Sequence, residues 1–238
     1  MFRRMPNSDT KRSKALDDAN TKANATPVAA RLISTESYTK LGTLLPQWKT
    51  AVGTRGTSKS GESAAVNAQS LALGKTRQLI SHFIQNLNNA IERGTFPASV
   101  RAFYQLDVGS ARVPVLSSRD DVLLWGDRLA TGETARVAAG GQPLAFPAIG
   151  EVNTAVADLQ AKGTSESGTT DELKGDQKAV ITLRPQVDAL IHDMWDEVEF
   201  ALRKEPHATM RAKAREWGLV YDSHPGEPPT PPPATTTK

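Results

Sequence analysis

Residues 187–221 read VDALIHDMWDEVEFALRKEPHATMRAKAREWGLVY, the strongest helical signal in the chain. Turning this stretch by 100° per residue gathers Leu190, Ile191, Met194, Trp195, Val198 and Leu202 on one side. Extended back through Val187, Leu183 and Val180, the apolar spacing becomes a near-heptad, the narrow seam of antiparallel helix packing. A long helix with one buried edge is therefore expected here.

A fainter copy lies upstream. LISHFIQNLNNAIERG (79–94) aligns without a gap on LIHDMWDEVEFALRKE (190–205) at an offset of 111. The same offset places Leu41 on Val152, Leu45 on Val156 and Trp48 on Leu159. After the long helices, ASVRA (98–102) matches ATMRA (208–212) at an offset of 110. Two amphipathic helices always align at some offset, but agreement of an upstream helix, a polar segment and an Arg motif to within one residue of the same offset points to duplication. The expected fold is all-α: an antiparallel four-helix bundle built from a duplicated helical hairpin, with accessory helices and disordered termini.

Working outward, the chain divides into residues 1–31 as a basic arm or short helix, a bundle over 32–221, and a tail over 222–238. The repeat units are 34–107 and 147–221, joined by a linker helix over 117–139. Ser8 is the expected N-cap of a helix over 8–24. Ser34 offers another, and Pro46 falls inside the pattern that follows it. GTRGTSKSG (53–61) and GTSESGTTDELKG (163–175) are rich in turn-formers without apolar anchors, and loops are expected there. Gly126 and Gly132 lie within the linker helix and suit close packing, at about 1 kcal/mol each relative to Ala. The tail SHPGEPPTPPPATTTK has the composition of a disordered segment.

Composition sets the limits on function. Of 238 residues 38% are hydrophobic, and there is no cysteine, which excludes disulfides and thiolate metal sites. No apolar run approaches the ~20 residues that span a bilayer, so no membrane partner is expected. The first residues carry bases without an apolar h-region, so no secretory signal is read and a cytoplasmic protein is expected. Net charge is +3, and residues 1–31 hold seven bases against three acids. Such an arm suits nucleic-acid phosphates or, more ordinarily, a solvated helix.

Signatures of nucleotide-binding loops, serine hydrolases, zinc peptidases and EF-hands are missing from the sequence. No catalytic residue, metal ligand or cofactor is assigned, and the enzyme question is left open, leaning to no. Opposite the buried stripe stand Asp188, His192, Asp196, Glu199 and Arg203. That column reads as a solvated face rather than a metal site, because no Glu-x-x-His motif points inward. Phe200 stands among these acids: another segment, 8–24 or 117–139, covers it, or it meets a partner. Arg211, Arg215, Trp217 and Tyr221 are the other candidate contacts. They would bind an anion or, on the structural reading, plug the end of the bundle.

KAREWGLVY (213–221) preceded by ATMR, together with FPASVR (96–101), resembles uncharacterised bacterial helical proteins. The resemblance implies an all-helical fold and carries over no functional residue. The expected function is a non-enzymatic helical module that binds another protein or assembles with itself. The alternatives are nucleic-acid binding through the arm, and an enzyme or metal protein with an unrecognised site.

Overall fold

The computed structural model describes residues 2–222 of the chain. In chain order the elements are β1 (Phe2–Arg3), α1 (Asp9–Ala25), α2 (Thr35–Glu92), α3 (Arg119–Ala138), α4 (Ile149–Leu202), α5 (His207–Arg215) and β2 (Tyr221–Asp222), with 3₁₀ turns at Val28–Ala30 and Ala98–Tyr104. The fold is mainly helical. The chain forms two compact units: Met1–Ser58 with Leu173–Lys238, and Lys59–Glu172. Both long helices, α2 and α4, pass through the boundary.

The first unit holds α1, the opening part of α2, the closing part of α4, α5 and the β1–β2 ribbon. Its core joins Leu41, Leu45 and Trp48 of α2 to Val187, Ile191, Met194, Trp195 and Val198 of α4. The expected stripe on the final helix is therefore core. Helix α1 adds only Ala15, Leu16, Ala19 and Ala23. It begins at Ser8, whose hydroxyl accepts from the Lys11 amide at 3.3 Å, and ends where Thr26 turns extended ahead of Pro27. Glu197 secures the start of α2 by accepting from the Ser34 amide, the Ser34 hydroxyl and the Ser37 hydroxyl at 2.7, 2.8 and 2.9 Å.

The second unit packs the closing part of α2, α3 and the opening part of α4 around Ile80, Phe83, Ile84, Leu87, Val122, Leu129, Val152, Val156 and Leu159. A capping box starts α3: the Asp121 amide donates to Ser118 Oγ, and the Ser118 amide donates to Asp121 Oδ2. The two glycines of α3 are needed where they stand. A Cβ on Gly126 would lie 2.5 Å from Val156 Cγ2, and one on Gly132 would lie 2.5 Å from Tyr104 Cδ1. The edge of Phe83 meets the Tyr104 ring at 5.9 Å between centroids.

Three expectations are corrected. The segments 53–61 and 163–175 are helical, so each expected hairpin is one continuous helix that does not fold back on itself. Glycine and serine frequency argued for loops, but the hydroxyls here bond to their own helix. Thr57, Thr164 and Ser167 each donate to the carbonyl four residues back. Apolar packing at both ends then carries helix through a stretch of poor intrinsic propensity. Both Pro46 and Pro185 lie inside these helices, so Pro46 does not mark the start of α2.

The second correction concerns the N-terminal end, which is ordered rather than disordered over its described residues. Phe2 pairs with Asp222 and Arg3 with Tyr221 in an antiparallel ribbon. The third concerns 95–114, where Pro97 and Gly109 punctuate the sequence and irregular chain is expected: Ala98–Tyr104 within it is a 3₁₀ turn carrying the buried Val100, Arg101 and Tyr104. The tail expected over 222–238 lies outside the described residues from 223 onward.

Candidate functional site

The acidic column on α4 is not a solvated face. Arg12 of α1 grips Asp188 with two prongs, Nε to Oδ1 at 2.7 Å and Nη2 to Oδ2 at 2.9 Å. Arg3 of β1 reaches Asp196 at 2.5 Å and Glu199 at 3.2 Å, and its guanidinium lies 3.3 Å from His192 Nε2. His192 Nδ1 is 3.1 Å from Asp196, which places the imidazole between the acid and the guanidinium. The basic segment and the acidic column, two unexplained features of the sequence, are each other's partners.

Asp9 extends this network between helices. It accepts two hydrogen bonds from Arg184 of α4, at 2.9 and 2.8 Å, and one from Arg55 of α2 at 2.7 Å. The Arg184 bonds, with help from Arg55, outweigh burial and hold the Asp9 carboxyl down at about 2. Arg12 is pushed up from its ordinary value, chiefly by its bonds to Asp188.

The five candidate contact residues separate. Trp217 is buried in the core of the first unit, with Leu219 and Ala214. Tyr221 is half-buried and donates to Glu199 Oε1 at 2.7 Å; burial and that bond both push its phenol up. Arg215 lies 5.8 Å from the Tyr221 ring centroid. Arg211 is partly buried, and its Nε has no hydrogen-bond partner. Phe200 stays 66% exposed, so neither 8–24 nor 117–139 covers it. The Arg203 guanidinium stacks 3.8 Å from its ring centroid, and Arg203 Nη1 donates to the Phe200 carbonyl.

Between α2 and α4 the first unit carries a groove of about 560 Å³. Thr39, Thr43 and Gln47 form one wall, Gln186 and Ala189 the other, and Leu44 and Leu190 lie at its base.

A second charged cluster, in the Lys59–Glu172 unit, was not legible in the sequence. Glu133 and Arg136 on α3 are 1% and 2% exposed and pair at 2.8 Å. Tyr104 donates to Glu133, Arg136 Nε donates to the Tyr104 oxygen at 2.8 Å, and Arg136 Nη2 donates to the Gln142 carbonyl at 2.7 Å. The Leu144 amide completes the Glu133 shell at 2.8 Å, and the Phe96 ring lies 4.7 Å from the Arg136 guanidinium carbon. Burial alone would raise the Glu133 carboxyl, but Arg136 and Tyr104 outweigh it and hold the group below its usual range. Burial and the Glu133 bond together push the Tyr104 phenol up. These bonds tie the 3₁₀ turn and the 142–144 segment to α3, while Arg136 Nη1 is buried without a hydrogen-bond partner. In sequence, Glu133 and Arg136 look like an ordinary i,i+3 pair on an exposed helix face.

Among the described residues no group of three or more His, Cys, Asp or Glu side chains is arranged to hold a metal, and no helix is long and apolar enough to cross a membrane. No family model matches the chain, and no curated protein or solved structure is significantly similar to it.

Proposed function

We propose that the protein is a non-enzymatic helical interaction module, acting through a protein partner or a second copy of itself. Phe200 carries this reading. It is a large aromatic on the outer side of a helix whose apolar seam is already filled, and two thirds of its surface faces solvent. Arg203 stacked on one face makes a rigid aromatic–cation pair, the residue chemistry enriched at binding hot spots.

Duplication fits the same reading. Ser8 and Ser118, 110 residues apart, each cap a helix start. The first-unit helix α1 turns residues 12, 16, 19 and 23 inward, and α3 turns 122, 126, 129 and 133 inward, again at an offset of 110. The repeat thereby extends to a preceding helix: α1 followed by α2, and α3 followed by α4. The Phe200 position is unmatched, being Asn89 in the first copy, so specificity resides in the second.

Light scattering combined with chemical cross-linking tests the assembly, and affinity capture tests a foreign partner. A Phe200→Glu variant is expected to abolish either association while keeping its helical signal. A strict monomer that captures no partner would sink the proposal. Nucleic-acid binding through residues 1–31 is the weaker reading, because Arg3, Arg12 and Lys22 already pair with Asp196, Asp188 and Glu216. Failure to retain labelled DNA or RNA at low salt, where the phosphate attraction is greatest, would end it.

A further inference from the structure

Helix α1 is attached unlike the other helices of the chain. Its buried face offers one leucine and three alanines, a small apolar grip for a helix of this length. Met5 and the backbone bonds of the β1–β2 ribbon add to it, and charge adds the most numerous contacts. Asp9 takes Arg184 and Arg55, Arg12 takes Asp188, Asp17 takes Lys49 at 2.5 Å, and Lys22 takes Glu216 at 2.5 Å. Ahead of the helix, Arg3 takes Asp196 and Glu199, and Arg4 takes Asp222 at 2.8 Å. One aromatic contact is polar too: Trp48 donates its indole N–H to Ser13 Oγ at 2.9 Å. In α3, by contrast, Val122 and Leu129 are fully buried and the charges are turned inward as a closed cluster.

We infer that residues 2–25 form a detachable strap, held across the first unit by ion pairs and released when those pairs are screened. The α2–α4 pair beneath has an apolar seam of its own, with Leu41 and Leu45 of α2 and Ile191, Met194 and Trp195 of α4 in one core. Release uncovers Trp48 and the column Asp188, His192, Asp196 and Glu199. That surface is apolar at its centre and acidic along its edge, and suits a basic amphipathic helix of the same kind as α1. The strap is thus a built-in occupant of a helix-binding face. Close packing sets its limit of travel: Gly218 has φ +86° and sits with room for no Cβ, because the Ala15 carbonyl oxygen would lie 2.7 Å away. Leaving therefore frees the ribbon side of α1 together with the helix.

Sodium chloride separates this strap from an ordinary core helix. The screening length falls from about 10 Å at ~0.1 M to about 3 Å at ~1 M, while apolar contacts are not weakened. Amide hydrogen exchange of the full chain, read by peptide, is the measurement. Protection over 9–25 is expected to fall at least ~10-fold across that range, while 187–202 changes less than ~3-fold; tenfold corresponds to ~1.4 kcal/mol. Unchanged protection over 9–25 would overturn the strap. So would equal loss over both stretches, since α1 would then open only with the whole unit. Replacing the central pair by apolar residues, Arg12→Met with Asp188→Leu, is expected to halve the salt response or better. An undiminished response in a folded double variant would also count against the strap, and if that variant does not fold, the salt series on the natural chain decides alone.

Discussion

Arg12 and Asp188 stand 176 residues apart in sequence and meet through two parallel hydrogen bonds of 2.7 and 2.9 Å. This planar, two-pronged geometry is the strong form of a side-chain ion pair. Arg12 is the better buried of the two, with 13% of its side chain exposed against 38% for Asp188. Arg12→Ala is expected to destabilise the first unit by about 1–2 kcal/mol, and Arg12→Lys to recover only part of that because an ammonium cannot make both bonds. Urea denaturation followed by circular dichroism measures both.

Asp9 makes the same unit acid-sensitive. Its folded carboxyl sits at about 2, below the ordinary value of 3.8. A group depressed in this way stabilises the fold fully above its unfolded value and loses that contribution as pH falls through the folded one. About 2 kcal/mol is expected to disappear between pH ~4 and pH ~2. Asp9→Asn should flatten that part of the stability profile, and an identical profile in the variant would contradict the assignment.

In the Lys59–Glu172 unit, Glu133→Gln strands Arg136 without its counter-charge while both remain buried. A loss of about 3–5 kcal/mol is expected, larger than for Tyr104→Phe, which deletes one hydroxyl from the cluster at about 1–3 kcal/mol. Thermal unfolding of the two variants side by side gives the order, and a greater loss for Tyr104→Phe would be the wrong one.

Gly126→Leu is expected to cost about 1–3 kcal/mol or more, because its first side-chain carbon already meets Val156 Cγ2 at 2.5 Å. Gly61 and Gly168 are the opposite case, since a Cβ on either meets nothing within 4 Å. Each changed to Ala in these helical stretches is expected to gain about 0.5–1 kcal/mol. A loss in denaturant midpoint would mean that these segments need glycine, as a loop would.

The helical class, the starts of α1 and α3, and the buried stripe on α4 were legible because each depends on local spacing. Ser8 and Ser118 precede runs that need a cap, and residues 190–202 repeat at helical period. Continuity through 53–61 and 163–175 was not legible, because it is decided by packing at the ends of each helix rather than by the residues between. The column through His192 was visible as a pattern but misread as solvated, since its partners Arg3 and Arg12 lie at the other end of the chain. Tyr104, Glu133 and Arg136 gave no signal at all, because burial of an i,i+3 pair leaves no mark on its spacing. Phe200 was recognised as anomalous, but that it stays uncovered could be learned only from the fold.

The two long helices also set an order of events during synthesis. The residues of the Lys59–Glu172 unit emerge from the ribosome as one uninterrupted stretch, so all their contacts can form while the rest of the chain is still being made. Arg3, Asp9 and Arg12, although made before that unit, must wait for Arg184, Asp188 and Asp196 to appear after it. For that interval the front of the chain is a basic segment whose acidic partners do not yet exist. Residues translated ahead of the Lys59–Glu172 unit therefore find their place after it.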